Sequence, residues 1–208
     1  MRRLSVVLLA SLFAMYASTA LAVDFANGLY WGFNAGIAEE KEFCQSAGEV
    51  FTPTLPAPGF DEVTGCDDTS LGWQLLIGYQ LIKWIGIEGG YTELGGSDVR
   101  LVQTAVDTDV DGWTLGVAAT APYLEKIGLY IVGGAYYWDK DVQAQTPGRQ
   151  GTKQNDSGVD AYFGGALRFP LTEKIGLNME VKKFYDIGSA KVGKTDYLHF
   201  SAGLQFRF

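Results

Sequence analysis

Histidine and cysteine are almost missing from this chain. One His and two Cys in 208 residues cannot build a closed zinc site from those ligands alone. Basic residues are the minority, 16 Lys+Arg against 24 Asp+Glu for a formal net charge of −8. That balance excludes nonspecific nucleic-acid binding, which needs a cationic footprint. Proline is scarce at 6, whereas glycine reaches 27 and aromatics 13%. Little interrupts extended backbone here, and the glycine–aromatic mixture suits strands better than helices. Past residue 22, no stretch approaches the ~18 unbroken apolar residues of a membrane-spanning helix. Hydrophobic residues are nonetheless 47% of the chain, so it buries a large apolar surface and is not a disordered tail.

The amino terminus reads as an export signal. Arg2 and Arg3 precede an apolar run from Leu4 to Met15, broken only by Ser5 and Ser11. Ala20-Leu21-Ala22 then supplies a small-x-small cleavage pattern, so residues 1–22 are expected to be removed after Ala22. The expected domain is 23–208. Export makes a Cys44–Cys66 disulfide chemically reasonable; two free buried thiols are the alternative.

Eight segments alternate with period two. The last is the clearest: Leu198, Phe200, Ala202, Leu204, Phe206 and Phe208 share one face, opposite His199, Ser201, Gly203, Gln205 and Arg207. No helix separates these two sets. Similar alternation begins at Leu29, Gly72, Ile85, Trp113, Ile127, Val159 and Ile175. Each segment has the length of a tilted strand crossing a bilayer. Connections alternate as well. Short ones lie at Ile82-Lys83-Trp84, Leu124-Glu125-Lys126 and Thr172-Glu173-Lys174, and long ones span about 38–70, 95–111, 139–158 and 187–195.

The two faces decide the orientation. One carries large apolar groups; the other mixes glycine with Gln74, Glu88, Arg168, Glu180, Lys182, Gln205 and Arg207. Eight strands enclose too little space for the large set. The apolar face must point outward into lipid, and the sheet must close, because an open edge in hydrocarbon strands backbone groups. The fold class is therefore all-β: an eight-stranded antiparallel up-and-down transmembrane β-barrel. Trp73, Tyr91, Trp113, Tyr137 and Tyr185 are expected near the outer rim, and Tyr79, Tyr123, Phe169 and Phe208 near the inner one.

The carboxyl end, Ser201-Ala202-Gly203-Leu204-Gln205-Phe206-Arg207-Phe208, resembles the assembly signal of outer-membrane barrels. With the architecture, it makes the chain similar to the OmpA-like family of small eight-stranded outer-membrane barrels. The resemblance implies that Ser201, Gly203, Phe206 and Phe208 are read by the barrel assembly machinery. It also implies the cell outer membrane as location, with membrane lipid and lipopolysaccharide as surroundings and a monomeric state. Full-length members carry a periplasmic domain that grips peptidoglycan; this sequence ends at the barrel, so no cell-wall tether is expected.

Four constellations bear on chemistry. Inward Glu88 and Glu180 can pair with Arg168, Lys182 and Arg207, as a plug that holds the lumen shut or as a gated ion path. His199-Phe200-Ser201 imitates the His-x-Ser pair of small-barrel lipid deacylases, but no acid follows Ser201 and both residues face away from lipid. Asp107, Asp109 and Asp111 before Gly112 imitate the start of a calcium loop. Its twelfth position is Ala118, not Glu, which excludes an EF-hand; loose divalent binding stays open beside a solvated acidic loop. The first long loop is acidic, a binding surface or a passive exposed segment. The expected role is structural, contributing to envelope integrity, with loops available to a surface partner. A narrow pore for ions or small solutes is the alternative, and a surface adhesin or receptor comes third. No enzyme, cofactor or resident metal is expected.

Overall fold

The computed structural model describes residues 28–41, 44, 63–101, 105–120, 128–145 and 151–208. The export signal at 1–22 and most of the first long loop lie outside the described residues. So do Tyr123 and the turn at 124–126.

Among the described residues nine strands follow one another: β1 Gly28–Glu40, β2 Val63–Asp67, β3 Thr69–Ile82, β4 Ile85–Leu101, β5 Ala105–Thr120, β6 Gly128–Gln145, β7 Thr152–Pro170, β8 Ile175–Ser189 and β9 Gly193–Arg207. Eight of them form the barrel. β1 pairs with β3, and each later strand pairs antiparallel with the next from β3 to β9. β9 returns to β1, from Tyr30↔Arg207 to Glu40↔Tyr197, and closes the wall. The closed ladder leaves no backbone edge toward lipid, as a wall in hydrocarbon requires. β2 is an added strand above the barrel proper, paired to the far end of β4 through Cys66↔Val99.

The ladders run further than the expected loops allow. Residues 95–111 and 139–158 were expected as long loops, yet they are mostly paired strand, up to Arg100↔Ala105 and Ala144↔Thr152. Likewise β8 and β9 leave only residues 190–192 between them where 187–195 was expected open. The reason is a reversal of polarity. Period two persists above the membrane, but there the apolar residues point inward. Leu94, Val99, Val106, Val110, Ile187 and Val192 are buried inside the upper barrel, while Asp107, Asp109 and Asp139 stand exposed outside. A criterion of apolar-outward alternation stops where the solvent outside changes from lipid to water.

The boundary is an aromatic row. Tyr91, Trp113 and Tyr137 sit directly across from one another on three neighbouring strands. Phe33, Trp73, Tyr91 and Trp113 are in ring contact, with centroids 6.2, 5.5 and 5.3 Å apart. This continuous band matches the amphipathic side chains that settle at a membrane interface. Below it Leu75, Ile77, Leu115, Val117, Ile131, Phe163 and Phe200 are exposed on the outer wall.

Two irregularities set the inward faces. A bulge between Glu93 and Gly95 switches the inward positions of β4 from Thr92 and Leu94 to Ser97 and Val99. Gly95 takes φ +72, and a Cβ there would lie 2.7 Å from the Leu71 carbonyl; only glycine fits. A second shift, between Phe184 and Ile187, places Asp186 at φ 55. Its backbone N–H is held by Asp196 Oδ1 at 3.0 Å.

Candidate functional site

The lumen below the aromatic row is polar and filled. Glu88 projects inward from β4 between Gly78 and Gly116, its register partners. Both glycines leave room for rings: a Cβ on Gly78 would collide with the Tyr30 ring, and one on Gly116 with the Tyr162 hydroxyl. Glu88 Oε1 accepts from Tyr30 Oη and from Arg168 Nη2, each at 2.5 Å. The Arg168 guanidinium also lies 3.8 Å from the Tyr130 ring centroid and 5.1 Å from that of Tyr30. A cation against two aromatic faces and one carboxylate recovers part of its lost hydration.

One layer up, Lys182 pairs with Glu180 and donates to Gln74 Oε1 at 3.0 Å. Asn178 Nδ2 donates to Glu180 Oε2 at 3.3 Å. The lower lumen thus holds two ion pairs, Glu88 with Arg168 and Glu180 with Lys182. Arg207 sits at the lower mouth, 5.9 Å from the Tyr30 ring.

Above the ion pairs the bore is closed again by carbon. Tyr136, Tyr162 and Phe184 are buried together, with centroids 4.8 Å apart for Tyr136–Phe184 and 5.7 Å for Tyr162–Phe184. Higher still is a pair that sequence reasoning missed. Lys140 Nζ donates to Glu40 Oε1 at 3.1 Å, and both side chains are buried. Both fall within expected long loops, Glu40 in 38–70 and Lys140 in 139–158. The signal was parity: Asn34, Gly36, Ala38 and Glu40 lie on one side of β1, as Tyr136, Trp138 and Lys140 do on β6.

His199 and Ser201 both point into the lumen and are buried, so a lipid ester cannot reach them through the wall. Glu180, opposite Ser201 in register, is committed to Lys182. Asp107, Asp109 and Asp111 follow one another along the outer face of β5 rather than curling into a loop. Among the described residues no group of three or more His, Cys, Asp or Glu is placed to hold a metal ion. Cys44 and Cys66 are joined, with Cα atoms 5.8 Å apart. The disulfide ties the chain leaving β1 to β2, and so to β4.

Outside the membrane Asp156 anchors the last turn. It accepts from the Ser189 hydroxyl at 2.5 Å, with Lys191 Nζ at 3.8 Å. The Ser189 hydrogen bond, helped by the Lys191 charge, holds its carboxyl below the usual carboxylate range.

At the carboxyl end Ser201 faces inward and Phe208 is exposed. Phe206 stacks on Trp31 at 4.6 Å, and Gly203 packs against the β1 backbone. Ser201, Gly203 and Phe206 therefore lie on β9, with Phe208 just past its end, and the four do not share one face.

Known proteins repeat this architecture. Outer membrane protein A of Salmonella typhi is 28% identical over 143 residues, 68% of this chain and 41% of that protein. The chain thus spans about two fifths of the length of this curated relative. Neisserial surface protein A superposes with a TM-score of 0.52 at 15% identity, covering 88% of this chain and 99% of that one. Ail of Yersinia pestis, solved with the heparin analogue sucrose octasulfate, superposes with a TM-score of 0.50 at 16% identity, covering 88% of this chain and 97% of that one. The profile of the OmpA-like transmembrane domain family matches residues 24–208, and the chain, a closed barrel in the cell outer membrane, belongs to that family.

Proposed function

We propose that the protein is a structural barrel that contributes to envelope integrity and conducts nothing at rest. The observation behind this reading is the double filling of the bore. A charged layer, Glu88–Arg168 and Glu180–Lys182, lies beneath an aromatic layer of Tyr136, Tyr162 and Phe184. An ion would have to part buried pairs, which are costly to break, and then pass between packed aromatic rings. The narrow-pore reading keeps one supporting fact, the polar lower lumen. It requires both layers to move together.

Purified protein in planar bilayers is expected to give a silent membrane. Steady unitary conductance from the unaltered chain would overturn the proposal. Phe184→Ala tests the upper layer: it should admit at most brief openings while the ion pairs stay intact.

The adhesin reading, with a loop ligand, is weaker on charge. The outer wall above the aromatic row carries Asp107, Asp109, Asp111, Asp139 and Asp141, which repels a polysulfated ligand such as that bound by Ail. We also infer that Ser201, Gly203, Phe206 and Phe208 serve recognition by the barrel assembly machinery during export, and that the folded barrel is a monomer in contact with lipopolysaccharide. Phe208→Ala should then slow insertion in cells while leaving refolding in detergent unchanged.

A further inference from the structure

The upper part of the β8–β9 hairpin stands apart from the wall. The β7–β8 ladder ends at Tyr162↔Phe184 and the β1–β9 ladder at Glu40↔Tyr197. Beyond them the hairpin pairs with itself, through Ile187↔Thr195, Gly188↔Lys194 and Ser189↔Gly193. β7 meanwhile continues along β6 as far as Thr152, so a seam separates it from β8. The bend at the base is built into the backbone. The register shifts between Phe184 and Ile187, Asp186 sits at φ 55 and Gly188 at φ +121. A Cβ on Gly188 would collide with the Gly193 carbonyl, so no side chain fits there. A bulge of this kind bends its strand. Ile187 and Val192 end up buried, Ile187 in the same core as Leu94, Val110, Phe184 and Tyr197, while Lys191 and Lys194 stay exposed.

The two edges of the hairpin are held differently. On the β1 side the Lys41 backbone N–H donates to the Asp196 carbonyl at 2.7 Å, and the Thr195 hydroxyl donates to the Lys41 carbonyl at 2.7 Å. On the β7 side, among the described residues, the polar contacts across the seam both end on Asp156. The Ser189 hydroxyl donates to its Oδ2 at 2.5 Å, and Lys191 Nζ lies 3.8 Å from its Oδ1. Exposed contacts of this sort each contribute little, whereas the rest of the wall is held by continuous ladders. A segment with so few bonds to its surroundings opens at a lower free energy than the whole fold.

We propose that residues 187–195 form a hinged lid over the external mouth of the barrel, hung on the end of β1 through Lys41 and latched to β7 by Asp156. When the latch parts, the lid swings from the β7 side and uncovers the apolar upper core, Ile187 and Val192 first. The aromatic layer and the ion pairs below keep their places, so the lid operates whether or not the barrel conducts.

Cysteine labelling reads the opening directly. Ile187→Cys in the vesicle-inserted barrel is treated with a membrane-impermeant maleimide, and Val110→Cys, equally buried on the β5 wall, is the reference. Position 187 should react about tenfold faster than position 110, because local opening reaches it first. Asp156→Ala should speed labelling at 187 by about fivefold more and leave 110 unchanged, in keeping with the loss of an exposed latch. Amide exchange gives a second reading. The oxidised Asp156→Cys/Ser189→Cys variant, cross-linked over the seam, should exchange more slowly across 187–195 than the unaltered protein and equally across 105–110. The proposal is overturned by equal labelling at 187 and 110, by Asp156→Ala acting on both positions alike, or by unchanged exchange in the cross-linked variant. If Ile187→Cys does not fold, exchange across 187–195 in Asp156→Ala and in the cross-linked variant decides.

Discussion

Lys182 shows at residue scale how this barrel tolerates buried charge. Its ammonium touches Glu180 and Gln74, lies 5.5 Å from the Tyr162 ring and is almost inaccessible. Glu180→Gln leaves that ammonium without its counter-charge. The expected loss is about 3–5 kcal/mol, from urea unfolding in lipid vesicles, because an uncompensated buried charge costs more than the pair gains. Lys182→Met added to Glu180→Gln should recover much of the loss, since an apolar chain of similar volume needs no partner. Asp156 illustrates the exposed counterpart. Its carboxyl is depressed, so its contact with Ser189 is complete above the ordinary aspartate value near ~3.9 and is lost as pH falls through the lower folded value. Amide exchange in the 190–192 turn should therefore accelerate only in strong acid, and in Asp156→Asn that acid step should vanish.

At the scale of the element, the strands are built in two registers of meaning. β4 carries Glu88 inward among lipid-level residues and Val99 inward among water-level ones, and the bulge at Gly95 changes parity between them. Gly95→Val forces a β-branched side chain into φ +72 against a backbone carbonyl. It should destabilise the barrel by several kcal/mol, or shift the β4–β5 register, which cross-strand cysteine pairs at 98 and 107 would report. The disulfide belongs to this scale too. Cys66→Ser frees the chain end of β1 from β2, and exchange at the Cys66↔Val99 pair should rise while the membrane-level ladders keep their protection. β7 extends past its last partner on β8, at Tyr162↔Phe184, as far as Thr152. The overhanging part pairs with β6, and Lys153, Asp156 and Asp160 on it discourage chance strand addition.

As a whole, the molecule is one wall crossing two solvents. Below Trp113 it is greasy outside and polar inside; above, it is acidic outside with a small apolar core. Position relative to that boundary should govern tolerance. Leu115→Arg on the lipid-facing wall should cost up to about 2–4 kcal/mol in vesicle unfolding, depending on depth, whereas Asp109→Arg, six residues earlier on the same strand and face, should cost little. Equal penalties at both positions would contradict the boundary. Much of this was legible in the chain. Alternation at Leu198–Phe208 and the other segments marked strands and their lipid face, and the aromatic positions marked the rim. The upper ladders were not legible, because Val106, Thr108 and Val110 face inward with Asp107 and Asp109 outward, and in sequence that resembles a polar loop.

The chain alone determined that strands form and which face meets lipid, because both follow from local period and side-chain volume. Only the closed tertiary structure decided who pairs with whom. Glu88 finds Arg168 across 80 residues and Glu40 finds Lys140 across 100. These contacts are set by register and by curvature around the barrel, which no local pattern encodes.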